Sequence, residues 1–187
     1  MLVIIWLKQS PLDHPDKFEI PWKDYIEQPD HVSCGPTSVT MVLHFYGKNV
    51  TLDQVRKVCW TDLFEYKGKK VGGTHPDRVA PALTRFGVSA TKKVGWVDHI
   101  KYHVSHGRPV IVLLRSGAFL WHYVVITGYT EDEIIYADPG SGARETIKTD
   151  IFKTAWSFDT DMDGVKTNNI LKEIFHIDGN VYFVKDE

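Results

Sequence analysis

Apolar and polar positions follow two different rhythms along this chain. Through its first half the apolar residues recur at spacings of three and four, the mark of helices with one buried face. Val39, Val42, Leu43 and Tyr46 define a first helix over residues 34–46, and Gly47 supplies a left-handed stop. Thr51 and Gln54 have the form of a capping box and open a second helix that runs to about Trp60. Thr74-His75-Pro76-Asp77 starts a third, which reaches Phe86 and stops at Gly87; residues 97–106 form a fourth, closed by Gly107 with Pro109 just beyond. A short strand over 88–92 lies between these last two. Residues 61–73 are polar and glycine-containing and read as a loop in reach of a ligand, with Gly72-Gly73 as a hinge.

The rhythm then changes to that of strands. Residues 110–114 are β-branched and apolar, a buried strand. Residues 122–129, 133–138 and 144–148 follow as three more, separated by turns at Glu131-Asp132 and Pro139-Gly140-Ser141-Gly142. A short helix capped by Thr149 or Asp150 reaches Trp156, residues 157–169 are loop, and a last strand over 180–185 closes the sheet. At the front, residues 1–7 are strand-like, and the proline-rich stretch 8–27 is an irregular lead-in. Helices first and hairpin strands afterwards give an α+β fold with a C-terminal antiparallel β-sheet.

Composition narrows the function. One domain is the expectation for 187 residues, with 1–20 as lead-in and the core from about residue 20 to 187. Net charge is −2 with Lys and Arg scattered, so no nucleic-acid stripe is present. No apolar run reaches the ~20 residues of a membrane-spanning segment. The start at Met1 carries no secretion signal and points to a cytoplasmic location, with an extracellular one left open. Two cysteines set no disulfide framework, though one Cys34–Cys59 bridge stays open; Cys59 reads as core.

Chemistry concentrates at Cys34. Ser33-Cys34-Gly35-Pro36 is a turn into the first helix, and Pro36 is tolerated in its first turn. Helix N–H groups and dipole stabilise an anion there, so a thiol at this point loses its proton more easily. The competing reading, a small buried apolar residue, does not account for the Gly-Pro turn or the polar run before it. A thiolate nucleophile needs a placed proton acceptor. Of nine histidines, His122 stands out: it opens a strand in which His122, Val124 and Ile126 share one face, so it sits at the sheet's rim. Counting back from the 130–132 turn brings it opposite the neighbourhood of Asp138 or Pro139, where a carboxylate can fix the imidazole tautomer. Asp138 also suits the start of an Asp-Pro-Gly turn. Gln28 can offer a side-chain amide to an oxyanion, with the Cys34 backbone N–H as second donor.

These residues together resemble the C39-like branch of the papain-like cysteine peptidases. The likeness rests on Gln28, on Cys34-Gly35-Pro36-Thr37-Ser38 six residues later, on the run from His122 to Tyr129, and on Ala137-Asp138-Pro139-Gly140; it spans about residues 20–157. It implies a papain-like fold with Cys34 as nucleophile, His122 as general base and acid, Asp138 as its orienter and Gln28 in the oxyanion hole. The implied reaction is thiol-dependent hydrolysis of an amide bond in a peptide or protein, without a cofactor. The best-known members cut leader peptides after a double glycine and are fused to membrane transporters. This sequence has neither spanning segment nor nucleotide-binding motif, so the leader-peptide substrate does not follow. Transfer chemistry at the same site, on cell-wall peptides or isopeptides, and a non-catalytic peptide-binding module are the alternatives. Oligomeric state is not legible.

Three weaker signals complete the reading. Asp159-Thr160-Asp161-Met162-Asp163-Gly164 copies the opening of a calcium loop, but Ile170 stands where the closing Glu belongs, which favours a solvated acidic turn. His99, His103 and His106 share a helix face without a converging carboxylate, which favours surface histidines over a metal site. Trp60, Phe64, Tyr66, Phe119 and Trp121 suit a substrate groove or core packing equally.

Overall fold

A computed structural model describes residues 12–59, 63–66, 69–115, 121–156 and 181–187, with backbone alone for 63–66 and 69–71. The expectations for residues 1–7, for the side chains of Trp60, Phe64, Tyr66 and Phe119, and for the acidic turn at 159–164 lie outside this set.

The helices form where the apolar spacing puts them. They are α1 (Cys34–Phe45), α2 (Leu52–Cys59), α3 (Pro76–Arg85), α4 (Val97–Ser105) and α5 (Thr149–Trp156). The capping box is made: Gln54 Oε1 accepts from Thr51 N at 2.8 Å and Thr51 Oγ1 accepts from Gln54 N at 3.3 Å. Gly47, Gly87 and Gly107 all take the positive φ of helix stops (71°, 83° and 70°). One expectation fails for α1: it shows no apolar stripe, because Cys34 through Leu43 are all buried. Small polar side chains let it pack on every side, against the strand Trp121–Tyr129, α2 and α3.

The main sheet is built from β1 (Phe18–Glu19), β4 (Ala90–Val94), β5 (Val110–Arg115), β6 (Trp121–Tyr129), β7 (Glu133–Asp138), β8 (Ala143–Lys148) and β9 (Val181–Lys185). Its order is β4-β9-β5-β6-β7-β8, all pairings being antiparallel, and β1 pairs with β6 beyond the start of β5. Three features depart from expectation. The last strand does not close an edge but lies between β4 and β5. Val181, Tyr182, Phe183 and Val184 are all buried, as a strand covered on both faces requires. Two strands, β2 (Leu63–Tyr66) and β3 (Lys69–Gly72), pair antiparallel where a loop was expected. The lead-in is not wholly irregular, since β1 is part of it. Among the described residues no helix is long and apolar enough to cross a membrane.

The β6–β7 pairing positions the site. Val125 faces Ala137 and Ile126 faces Tyr136, and a bulge lies between Ile126 and Gly128. Continuing this register sets Val124 opposite Asp138, two residues inward of the expected pairing. His122 and Asp138 still share one face, because side chains alternate with period two.

Candidate active site

Cys34 owes its place at the tip of α1 to the loop before it. Asp30 Oδ1 accepts Val32 N at 3.1 Å and Ser33 Oγ at 2.7 Å, an Asx turn that brings the chain to the helix start. Ser33 O accepts the first helical bond, from Thr37 N at 3.0 Å. The following residue has to be glycine: a Cβ on Gly35 would lie 2.5 Å from Thr74 Oγ1. Thr74 is pinned from behind, its carbonyl accepting the buried Tyr123 hydroxyl at 3.0 Å. The segment before α3 is thereby pressed against the base of α1.

The predicted thiol, imidazole and carboxylate meet. His122 Nε2 lies 2.5 Å from Asp138 Oδ1, with both side chains about one-fifth exposed (22% and 21%). Gly140 N donates to the same Oδ1 at 2.7 Å. Cys34 acts on the same ring, its hydrogen bonding and its charge both raising the imidazole; with Nε2 given to the carboxylate, Nδ1 is the nitrogen open to sulfur. Burial is the largest influence on the imidazole and works to lower its pKa. The bonds to Asp138 and Cys34 and their charges outweigh it, and the pKa rises to about 9. On Asp138 burial again comes first and works upward, yet the His122 bond, the Gly140 N–H and the imidazolium charge hold the carboxyl below its ordinary range.

Gln28 reaches the same place by its backbone. Its N–H donates to Pro139 O at 2.8 Å, which ties it to the residue after Asp138. Gly142, at φ 61°, makes room for this contact, since a Cβ there would come within 2.8 Å of Glu27 Cβ. The Gln28 amide donates from Nε2 to Asp30 O at 2.6 Å. The sequence reading missed Asp30, Thr74 and Tyr123. Only Asp30 left a signal, as an Asp three residues before Ser33 in a polar run.

The remaining candidates are dispersed. Cys34 and Cys59 are both free thiols, and Cys59 is fully buried, its pKa pushed up to about 12 by that burial. His99 Nδ1 accepts from Trp96 N, His106 Nδ1 donates to Tyr102 O, and His103 is buried rather than on the surface. No cluster of His, Cys, Asp and Glu among the described residues could hold a metal ion. Trp121 is partly buried and begins β6 opposite Arg115.

A helix carrying cysteine at its tip, packed on an antiparallel sheet that carries histidine and aspartate, is the papain-like arrangement. The chain belongs to the Peptidase_C39 like family, which matches residues 23–161. It is 30% identical, over 72% of its length, to the lactococcin-G-processing and transport ATP-binding protein LagD of Lactococcus lactis subsp. lactis. It spans only 18% of the length of the curated relatives it matches. Among solved structures it is similar to a Bacillus anthracis protein assigned to the C39-like peptidases, with a TM-score of 0.67, 14% identity and coverage of 92% and 98% of the two chains. It is also similar to a double glycine motif protease from an AMS/PCAT transporter in complex with the leader peptide, with a TM-score of 0.56, 19% identity and 96% of each chain covered.

Proposed function

We propose that this chain is a cysteine-dependent peptidase in which Cys34 is the nucleophile, His122 the general base and acid, Asp138 its orienter and Gln28 an oxyanion donor. One observation carries the reading: the imidazole bonded to the Asp138 carboxylate is the one that Cys34 also acts on, although the three residues come from three different elements. His122 takes the thiol proton, which leaves sulfur free to act as nucleophile. The sulfur attacks the scissile carbonyl, and the Gln28 amide and the Cys34 N–H receive the charge on oxygen. His122 gives its proton to the leaving amine as the C–N bond breaks, leaving a thioester. It then takes a proton from water, which attacks that thioester, and returns it to sulfur as the acid leaves. Family membership supports the peptidase class. The processing relative and the leader-peptide complex support a peptide substrate, and a Gly-Gly pair before the scissile bond is the first sequence to try.

Digestion of a peptide library by wild type and Cys34→Ala tests the proposal. Wild type should cut, and the variant should be slower by at least about 10³-fold; equal cutting by both would end it. Added amine acceptors report whether the thioester is also transferred. At pH 7, iodoacetamide should modify Cys34 at least ~100-fold faster than Cys59, whose buried thiol is held protonated to about pH 12.

A further inference from the structure

Asp30 makes more of the site's connections than any of the four residues discussed so far, yet has no part in the chemistry. Its carboxylate accepts Val32 N, Ser33 Oγ and, from α2, Arg56 Nη2 at 3.0 Å. Its carbonyl accepts Gln28 Nε2 at 2.6 Å and, more loosely, Ser33 N at 3.4 Å. A carbonyl accepts only, so this bond decides which way the Gln28 amide faces: Nε2 is turned to Asp30. Gln28 Oε1 is buried and has no hydrogen-bond partner among the described residues. That is a costly arrangement, kept because Nε2 is held. Nε2 carries two hydrogens; one is taken by Asp30, and the other remains to donate.

We infer that Asp30 is a positioning residue for the oxyanion donor: its carbonyl orients the Gln28 amide, while its carboxylate, braced by Arg56, fixes that carbonyl relative to the start of α1. The inference rests on the roles proposed above for Gln28 and Cys34. The Asp30–Arg56 pair is one-third exposed on both sides and contributes little stability by itself. What it supplies is geometry, and misplacing a donor by about 1 Å costs up to ~100-fold in rate. A plain helix cap is the competing account, and the two differ in what they affect. A cap holds Cys34 in every reaction. An oxyanion donor matters only where a carbonyl oxygen takes up charge, and alkylation by iodoacetamide forms no oxyanion.

A double-mutant cycle on the whole chain separates them, with Asp30→Ala, Gln28→Ala and the double variant assayed for peptide hydrolysis and for iodoacetamide modification of Cys34. Asp30→Ala should lower kcat by about 10- to 100-fold with KM changed less than ~3-fold, as loss of a transition-state interaction does. In the Gln28→Ala background the same substitution should cost no more than ~3-fold, because the residue it acts through is gone. Asp30→Asn, which keeps an acceptor oxygen, should recover most of the loss, and the alkylation rate should stay within ~3-fold of wild type throughout. An equal loss of kcat in both backgrounds, an unchanged kcat, or a parallel fall in alkylation would overturn the inference. Should Asp30→Ala not fold, Arg56→Gln in the same two backgrounds decides by the same criterion, with a loss of about 3- to 10-fold expected in the first and none in the second. Cutting that survives Cys34→Ala would instead defeat the peptidase proposal, so the two failures are distinguishable.

Discussion

Two imidazoles in this molecule are withdrawn from water and driven in opposite directions. His122, at the rim of β6, is raised to about 9; His103, on the inner side of α4, is lowered to about 4. For both, burial is the largest influence and acts downward. The difference lies in their neighbours. His122 has a carboxylate bonded to Nε2, and Cys34 also acts to raise it. His103 has the Tyr182 hydroxyl 3.4 Å from Nε2, nothing bonded to a buried Nδ1 among the described residues, and Arg108, Lys93 and His99 acting against its charge, with Glu187 alone in favour. Depth in the fold therefore does not set the direction in which an imidazole is driven. The groups beside the ring decide which way it is driven.

The comparison breaks most visibly at Asp138. Asp138→Asn keeps the shape of the side chain and removes the charge that outweighs burial. The imidazole then falls toward the situation of His103, and its ring nitrogens lose the partner that assigns the tautomer. Peptide hydrolysis should drop by about 10²- to 10⁴-fold. A variant within ten-fold of wild type would mean that Asp138 merely starts its turn.

Titration sharpens the contrast directly. In a histidine-resolved NMR titration, His122 should change charge near pH 9 and His103 near pH 4. The linkage signs are opposite. His122 has a folded pKa above its unfolded 6.5, so its stabilisation is complete below pH 6.5 and disappears as pH rises toward 9. Hydrolysis should lose its alkaline limb in the same window. His103 has a folded pKa below 6.5, so the unfolded chain takes up a proton that the folded one refuses, and stability falls as pH drops from 6.5 toward 4. A His122 resonance titrating below pH 7 would remove the ion pair from the mechanism.

Much of the site was legible because its parts are local. A Cys-Gly-Pro turn before a helical period places Cys34, and a turn at 130–132 between two alternating runs brings His122 and Asp138 to the same end of one strand pair. The bulge between Ile126 and Gly128 shifts the pairing by one residue, from Gly128 facing Ile135 to Ile126 facing Tyr136, and that shift sets the parity that puts His122 and Asp138 on one face. What escaped was settled by distant neighbours. Phe18 and Glu19 form a strand only because β6 outruns β5 and exposes an edge at Gly128 and Tyr129. The last strand is central because both of its faces find cover, and no local period marks a strand buried on two sides as inner rather than last. The polar residues of α1 hid its full burial, since Thr37, Ser38 and Thr40 are small enough to be enclosed. Asp30 escaped because its partners Gln28, Ser33 and Arg56 approach from two separate elements.

The smallest effect tests the other side of the comparison. His103→Phe replaces an imidazole holding one long bond and one orphaned nitrogen with an apolar ring of similar size. Relief of the buried Nδ1 and loss of a partner for the Tyr182 hydroxyl act against each other. The net change at pH 7 should stay within about 1 kcal/mol, and kcat should match wild type. The acid side should respond more clearly. Without the histidine, the fall in stability between pH 6.5 and 4 should lose one proton from its slope, as urea midpoints at pH 7, 5 and 4 would record. An unchanged slope would show that His103 protonates as readily folded as unfolded, and burial would then have lost the dominance over this imidazole that sets it apart from His122.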